Sequence, residues 1–449
     1  MNPAARRILF SVGAIVVVVL VAGLWILRGP GPIDFADGPK VTPTDYKGGD
    51  PTGIPASLAK ASLVERGAYL ARAADCVVCH TSQGGKEYAG GLAIRLPFGS
   101  LYSTNITPDK DTGIGNYSDQ DFLNAVHRGT RRDGARLYPA MPFTSYTYMT
   151  DADALAIKAY LFSLAPVRAV APANTLTFPF NQRWAMNFWS ALFNPDSRFA
   201  ADTSKSPEWN RGAYLAEALA HCGECHTPRN LAFALDNRKK FAGAVTAGWR
   251  AFNISSDKTT GVGAWSDGDL ASYLSTGHAA GHGTATGPMG EAVDESFVQF
   301  APEDIRAVVA YLRSVPPTAS PDLPATVAPP APASHKEGGG TSDPRGKMVF
   351  EGACVSCHGW TGESSISPFA TLTGAWAVND PSATNVAQVV ISGTRRHVPE
   401  DAVSMPAFGG AYSDTEIAAV ANYVTARFGS KASQLTARDV AELRKQTAQ

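Results

Sequence analysis

The strongest hydrophobic feature of the chain lies at its N-terminus. Residues 8–27 contain no charged side chain and as a helix would be about 30 Å long, the hydrocarbon thickness of a bilayer. Arg6 and Arg7 precede this stretch and Arg28 follows it, a bias that favours the N-terminus in the cytoplasm and the rest of the chain outside it. A cleaved signal usually has a shorter apolar region and a small-x-small site, which residues 24–30 do not offer. The pattern favours a retained anchor, although a cleaved signal would also export the remainder.

An internal repeat follows the anchor. The hexapeptide Arg-Gly-Ala-Tyr-Leu-Ala occupies residues 66–71 and again residues 211–216, and parts of residues 105–121 recur in 253–269 at an offset of 148. A more distant third copy begins at Arg345. Repeated sequence at this spacing indicates duplicated structural units.

Each copy ends with the same helix signal, an acidic residue seven positions before a tyrosine with apolar residues between them. The pairs are Asp153 and Tyr160, Asp304 and Tyr311, and Glu416 and Tyr423. Ser413 and Glu416 form a capping-box sequence, and Thr150 with Asp153 resembles one. Strand signals are sparse. We therefore predict a mainly α protein with three small tandem domains after an N-terminal transmembrane helix.

Segments rich in Pro, Gly and Ala separate these parts and predict a tether and a semi-rigid linker. The predicted boundaries are 1–29 for the anchor, 30–57 for the tether, 58–168 for the first domain, 169–206 for an aromatic connector, 207–316 for the second domain, 317–341 for the linker, 342–430 for the third domain and 431–449 for a C-terminal tail.

Composition agrees with this division. A chain of 449 residues is long enough for about three domains at ~150 residues each. Charged residues make up 18% of the chain, and 39 basic side chains nearly cancel 40 acidic ones. These values exclude a highly charged disordered chain and leave no basic field for nucleic acid, which is not expected as a partner.

The six cysteines form three motifs of the type Cys-x-x-Cys-His, the attachment signature of c-type haem. The motif residues are Cys76, Cys79 and His80, then Cys222, Cys225 and His226, and finally Cys354, Cys357 and His358. Two thiols one helical turn apart reach the two vinyl groups of a porphyrin, and the adjacent imidazole is placed as the proximal iron ligand. The histidine disfavours structural zinc, disulfides and a thioredoxin-type redox pair. The motifs predict three covalently bound haem c groups.

Methionines at related places in the three copies are the candidate sixth ligands of the iron. The offset of 148 carries Met141 onto Met289, and Met405 precedes its closing tyrosine by a similar distance. Each stands beside Pro or Gly, whereas Met149, Met186 and Met348 are interpreted as core residues. The alternative ligands are His127, His278, His282 and His397, a minority interpretation because His127 and His278 do not superpose under the offset. Six-coordinate His–Met iron has no open position, which favours electron transfer over peroxide or oxygen chemistry.

The predicted connector contains a strongly aromatic segment, residues 178–193, with aromatic residues at helical spacing. Packing against the chain's own domains, a membrane-surface helix, a partner contact and part of a quinone pocket all remain open for this segment.

The repeat, the haem motifs and the segments at residues 103–108 and 137–142 resemble the triheme cytochrome c subunit of bacterial membrane-bound dehydrogenases. The resemblance spans roughly residues 60–430 and implies three cytochrome c-type domains in the periplasm, anchored in the inner membrane. It implies an electron-transfer subunit, not an enzyme on its own, that relays electrons from a catalytic dehydrogenase subunit to ubiquinone.

The resemblance leaves several partners open. The long anchor and the aromatic segment favour a molybdopterin aldehyde or N-heterocycle oxidoreductase with a small iron–sulfur subunit. A quinoprotein alcohol dehydrogenase and a flavoprotein polyol or sugar-acid dehydrogenase are the alternatives. Two hypotheses of other classes are a haem peroxidase and a free-standing carrier that serves a terminal oxidase.

Overall fold

The computed structural model describes residues 3–320, 343–397 and 402–447. Most of the predicted linker, from residue 321 onward, lies outside the described residues. The predicted domains 58–168, 207–316 and 342–430 are called the first, second and third units below.

The N-terminal apolar stretch forms one helix, α1 (Pro3–Arg28). Its segment Phe10–Arg28 is long and apolar enough to cross a membrane, and none of that segment is buried inside the protein. Exposed side chains such as Val18 and Trp25 are what a lipid-facing helix presents. A signal sequence near the N-terminus shares these properties of length and composition.

The first unit and the connector are mainly helical. Their helices are α2 (Leu63–Ala73), α3 (Cys76–Cys79), α4 (Asp119–Arg128), α5 (Phe143–Tyr146), α6 (Asp151–Ser163) and α7 (Met186–Phe193). The helix predicted over the aromatic segment is thus present for residues 186–193, preceded by a 3₁₀ turn at Arg183–Ala185.

The second unit repeats this order with small differences. Its helices are α8 (Pro207–Tyr214), α9 (Gly223–His226), α10 (Asp267–Thr276), α11 (Gly287–Glu295) and α12 (Pro302–Ser314), with a π-helical segment at Leu215–Leu219 after α8.

The third unit and the tail complete the fold. Their helices are α13 (Pro344–Val349), α14 (Val355–His358), α15 (Trp376–Asn379), α16 (Thr384–Ser392), α17 (Asp414–Phe428) and α18 (Ala437–Thr447), with a π-helical segment at Phe350–Cys354 after α13. Helix α18 packs against α16 and α17, so the described part of the predicted tail is joined to the third unit.

Strands are few and short, as the sequence predicted. Within the described residues they form two-stranded antiparallel pairs only. The pairs are β1 (Lys40–Val41) with β4 (Ala201–Asp202), β2 (Ala93–Leu96) with β3 (Gly99–Tyr102), β5 (Ala244–Thr246) with β6 (Trp249–Ala251), β7 (His278–Ala279) with β8 (Gly283–Thr284), and β9 (Thr394–His397) with β10 (Ala402–Met405).

The predicted tether folds back onto the connector. The β1–β4 pair joins the two segments, and Lys40 Nζ lies 2.8 Å from the buried carboxylate of Asp202. The hydroxyl of Tyr46 donates a hydrogen bond to the carbonyl of Lys205. Residues 36–46 therefore contribute buried side chains to the protein instead of spanning open solvent.

In every unit the opening helix crosses the closing helix at a glycine. A Cβ atom on Gly67 would lie 1.9 Å from the carbonyl oxygen of Ala156, and one on Gly212 would lie 1.9 Å from that of Ala307. At Gly346 the corresponding distance is 2.2 Å, to the oxygen of Ala419. No side chain fits at such distances, which explains why glycine occupies this position in all three copies.

The described residues pack into two hydrophobic cores. One core combines side chains of the first and second units with those of the tether, and the other belongs to the third unit and α18.

Reciprocal polar contacts join the first two units beneath the shared core. Tyr69 of the first unit donates to Asp304 of the second at 2.6 Å, and Tyr214 of the second donates to Asp153 of the first at 2.6 Å. Asp304 also makes a bidentate pair with Arg211 of its own unit.

The buried position of Asp153 also explains why Thr150 and Asp153 do not form a complete capping box. Thr150 caps α6, but the Asp153 carboxylate accepts from Arg66, Gly53 and Tyr214 instead of completing a capping box. Ser413 and Glu416 do form the complete box that the sequence predicted.

We predict that Gly346→Ala destabilises the third unit by about 1–3 kcal/mol, because the new methyl group must push α13 away from α17. The check is the unfolding midpoint of the full chain, followed by circular dichroism. Gly352→Ala is the matched control, since a Cβ atom there meets nothing within 4 Å and alanine favours helix by up to ~1 kcal/mol. Equal midpoints for the two variants would contradict the close crossing.

Candidate haem-attachment sites

Each predicted haem motif lies in a single helical turn just after an opening helix. The turns are α3, α9 and α14, and in each the histidine closes or directly follows the turn. The residues before the first cysteine, Asp75 and His221, both have positive φ values of 54° and 37°. This left-handed residue reverses the chain after α2 and after the π segment, so that the motif turns back beside the helix crossing.

The three motif histidines share one orientation. Nδ1 lies 2.7 Å from the carbonyl oxygen of Thr104 in His80, 2.6 Å from that of Phe252 in His226, and 2.6 Å from that of Ala370 in His358. A carbonyl accepts only, so Nδ1 carries the proton and Nε2 keeps its lone pair for a metal. Burial lowers the pKa of all three imidazoles, which favours the neutral form that binds iron.

The carbonyl partners of the histidines lie in short segments outside the main helices. Ala370 belongs to the 3₁₀ turn Pro368–Ala370 in the third unit. Thr104 lies in the segment after β3 in the first unit. Thr104 and Phe252 are related by the offset of 148, so the two contacts occupy equivalent positions in the repeat.

The six thiols are free of disulfides. Burial raises the pKa of Cys76, Cys79 and Cys222 to about 12. It raises the pKa of Cys225 and Cys354 to about 11, whereas Cys357 is exposed. Burial thus favours the neutral thiol form of these five cysteines.

The first two motifs lie at one interface. Helix α3 of the first unit packs against α11 of the second. Burial, followed by the charges of Glu291 and Glu295 on α11, raises the pKa of Asp75 to about 8. The Asp75 carboxylate in turn contributes to the raised pKa of Cys79 and of Cys225 in the other motif.

Glu224, inside the second motif, makes the reciprocal contact. It accepts a hydrogen bond from Ser145 on α5 of the first unit and pairs with Arg229 at 2.5 Å. Each of the two motifs therefore touches the element that carries or follows the other unit's candidate methionine.

The candidate methionines are half-buried against the cores, but their backbones differ. Met141 lies in a turn before α5, Met289 is the third residue of α11, and Met405 is the last residue of β10. Met141 and Met289 pack against the shared core and Met405 against the third unit's core. The three methionines thus occupy related positions in the repeat but lie in different backbone structures. Their role as iron ligands stays a prediction.

The alternative ligands and the remaining methionines have varied environments. His127 is buried with Nδ1 3.6 Å from Asp151, His278 lies 3.0 Å from the hydroxyl of Thr284, and His282 stacks on Trp265. The backbone of His397 lies in β9. Met149 is a core residue and Met186 is half-buried, but the core interpretation of Met348 is wrong, because that side chain is 62% exposed on α13.

A buried arginine fixes the third unit on the second, a feature that the sequence did not signal. Arg396 on β9 is 1% exposed and lies 2.9 Å from Asp294 on α11. It also donates to the carbonyl oxygens of Gly290 and Thr276. Gly290 directly follows Met289, so the third unit supports the segment that carries the second candidate methionine.

Comparison with known proteins agrees with this geometry. Residues 64–165 match the family model described as cytochrome c, and residues 342–424 match the model described as cytochrome c oxidase, cbb3-type, subunit III. The class defined by fold and site is therefore that of c-type cytochromes, in which haem is attached covalently.

Whole-chain relatives narrow the class. The fructose dehydrogenase cytochrome subunit of Gluconobacter japonicus is 39% identical over 87% of this chain and 84% of its own length. The alcohol dehydrogenase (quinone) cytochrome c subunit of Gluconacetobacter polyoxogenes is 36% identical over 86% of this chain and 85% of its own. A nicotinate dehydrogenase subunit of Pseudomonas putida is 41% identical over 82% of this chain, which spans only 31% of that relative. The chain belongs to the family of dehydrogenase cytochrome c subunits.

The described residues fit haem c. In all three motifs two unpaired thiols share a helical turn with an imidazole whose Nε2 is left available by the bond at Nδ1. A zinc site would instead require two such motifs to pool four ligands.

Arg396→Gln should loosen the docking of the third unit by about 3–5 kcal/mol, because Asp294 loses a buried cation and two carbonyls lose their donor. Hydrogen exchange of β9 and α11 in the full chain measures the effect, and faster exchange is expected in both. Arg395→Gln, at the exposed neighbouring position, is the control and should leave exchange unchanged. The same protection in both variants would show that Arg396 does not hold the units together.

Proposed function

We propose that the protein is a triheme electron-transfer subunit of a membrane-bound periplasmic dehydrogenase and relays substrate electrons to ubiquinone. The observation that carries this proposal is the threefold recurrence of the same proximal geometry, a motif histidine with Nδ1 on a backbone carbonyl and two free thiols beside it. Bound haem c supplies an iron that takes up and gives back single electrons.

In this proposal each unit holds one haem. The assignments are Cys76, Cys79 and His80 with Met141 for the first haem, Cys222, Cys225 and His226 with Met289 for the second, and Cys354, Cys357 and His358 with Met405 for the third. The cysteines would attach the porphyrin, and the histidines and methionines would supply ligands to its iron and so limit access of water and oxygen to it.

The arrangement of the units supports a direction of electron flow. Cys357 is exposed, whereas the four cysteines of the first two motifs are partly buried near the interface of those units. The last turn of α1 is hydrogen-bonded to the second unit. We therefore propose that the third unit receives electrons from the catalytic subunit and that the first two units pass them toward the inner membrane.

A cleft at the end of α1 supports ubiquinone as the acceptor. It has a volume of about 290 Å³ and lies between the anchor, the connector and the first two units. Residues on its wall include Trp25, Arg28, Tyr148, Trp189, Phe193 and Glu217. The wall is mainly polar and has an aromatic part formed by Trp25, Trp189 and Phe193. It therefore offers hydrogen-bonding groups and a packing surface to a quinone ring that arrives from the bilayer.

The nature of the catalytic partner is proposed by analogy with the relatives. Nicotinate is an N-heterocycle, and the relative named for it is 41% identical, which supports a molybdopterin and iron–sulfur partner that oxidises an aldehyde or an N-heterocycle. The relatives named for fructose and alcohol dehydrogenases, at 39% and 36% identity, support the flavoprotein and quinoprotein alternatives.

Replacing each proposed methionine ligand with alanine should remove part of the weak far-red absorption that thioether-to-iron bonding produces. The variants are Met141→Ala, Met289→Ala and Met405→Ala, and the spectrum of the oxidised full chain is the measurement. Met149→Ala is the control, because that methionine is buried in the core and should leave the band intact even if stability falls. An unchanged band in one of the three variants would show that the substituted methionine is not an iron ligand.

Purification of the tagged chain from native membranes should bring a dehydrogenase subunit with it. We expect the haems to become reduced when the substrate of that subunit is added, as read from the absorption spectrum. Isolation of the chain without any dehydrogenase would favour the free-standing carrier. Turnover of hydrogen peroxide by the reduced chain, with a high-spin haem as the main species, would favour a peroxidase.

A further inference from the structure

Large apolar side chains are exposed beside the point where α1 meets the folded units. Leu231 is 96% exposed, Phe188 is 71% exposed and Trp184 is 63% exposed. Phe178, Phe180 and Phe233 also present a third or more of their surface. These six residues are called the aromatic patch. Exposed apolar clusters of this kind mark a surface that contacts another apolar body.

The patch is held from inside by packed aromatic residues. The indole nitrogen of Trp189 on α7 donates to the carbonyl of Ala232 at 2.8 Å and joins the helix to the loop that carries Leu231 and Phe233. Phe180 stacks on Phe98 with ring centres 3.8 Å apart, and Phe233 meets both rings edge-on. The exposed side chains are thus a fixed part of the surface.

The same loop also caps the C-terminal end of α1. Arg238 donates to the carbonyl of Ile26 at 2.7 Å, and Asn230 donates to that of Leu27 at 2.9 Å. Asn237 donates to the carbonyl of Pro30 at 3.1 Å. These carbonyls have no partner within the helix. The loop that carries part of the patch therefore supplies the hydrogen-bond donors for the C-terminal end of α1.

We propose that the aromatic patch lies in the interfacial layer of the bilayer that α1 crosses. The inference rests on the proposed anchor and goes beyond it, since it assigns a second membrane contact to the connector and the loop 229–239. The argument for lipid as the occupant is continuity, because the residues that carry the patch bind the last turn of the candidate span. Trp and Phe are preferred at the headgroup boundary, and Arg238 and Lys239 in the same loop are exposed beside it.

Two membrane contacts fix an orientation that a single helix leaves free. With α1 and the patch both in the bilayer, the first two units rest on the membrane surface and the cleft beside Trp25 and Arg28 lies at headgroup depth. The third unit docks on the second through Arg396, so its orientation relative to the bilayer is then fixed as well.

The test uses the full haem-loaded chain with Phe188→Cys in nanodiscs of phosphatidylcholine and phosphatidylglycerol. With all native cysteines bonded to haem, the new thiol alone takes a nitroxide label. We expect high accessibility to dissolved oxygen and a loss of accessibility to a water-soluble nickel complex. Ile366→Cys in the third unit, where the native side chain is 65% exposed, is the matched control and should remain accessible to the nickel complex.

The possible outcomes test the membrane contact of the patch separately from the proposed anchor and the proposed haem attachment. Equal nickel accessibility at the two sites, in a chain whose mass shows that α1 is retained, would overturn the membrane contact. Protection of Phe188→Cys that requires a co-purified subunit or a second copy of the chain would also overturn it. A mature chain that begins after Arg28 would overturn the anchor as well, whereas label uptake by the chain without an added cysteine would overturn only the complete attachment of three haems.

Discussion

The close crossing of an opening and a closing helix is the constraint on which the rest of the structure depends. In each unit a glycine lets the backbone of one helix touch a carbonyl of the other, at Gly67, Gly212 and Gly346. The haem motif follows the opening helix within a few residues, so this crossing determines where the two thiols and the imidazole lie. A larger residue at the crossing would move the whole attachment turn, which is why the glycine recurs even in the third copy, where the residues after it differ.

The units differ in what surrounds the crossing, and this difference explains their assembly. Tyr69 and Tyr214 reach reciprocally to the acid at the start of the other unit's closing helix, and the first two units share one core. At the corresponding position the third unit has Met348, whose side chain is exposed and carries no hydroxyl to donate. The third unit keeps its own core. It docks on the second unit through Arg396, a buried cation between two carbonyls and Asp294, and through side chains such as Asn385, which exchanges two hydrogen bonds with the backbone of Arg250.

The second unit contacts both the apolar helix α1 and the haem motif of the first unit. Its loop 229–239 caps α1 and carries part of the aromatic patch, while its haem motif faces that of the first unit through Asp75 and Glu224. The connector, for which the sequence left four interpretations open, combines packing and exposure in one short helix. Trp189 packs inward against Phe143, and Phe188 on the neighbouring position faces outward.

The sequence alone determined the features that depend on short spacings. These are the apolar helix at the N-terminus, the paired helices of each unit, the capping box at Ser413, and the cysteines and histidines that share a single turn. The tertiary structure alone decided which carbonyl orients each histidine, how the tether folds back, and that Arg396 is buried against α11. Each histidine is 12 to 26 residues from its carbonyl, Arg396 is 106 residues from Gly290, and Lys40 is 162 residues from Asp202. Contacts at these separations follow no helical or strand period, so the local sequence pattern does not predict them.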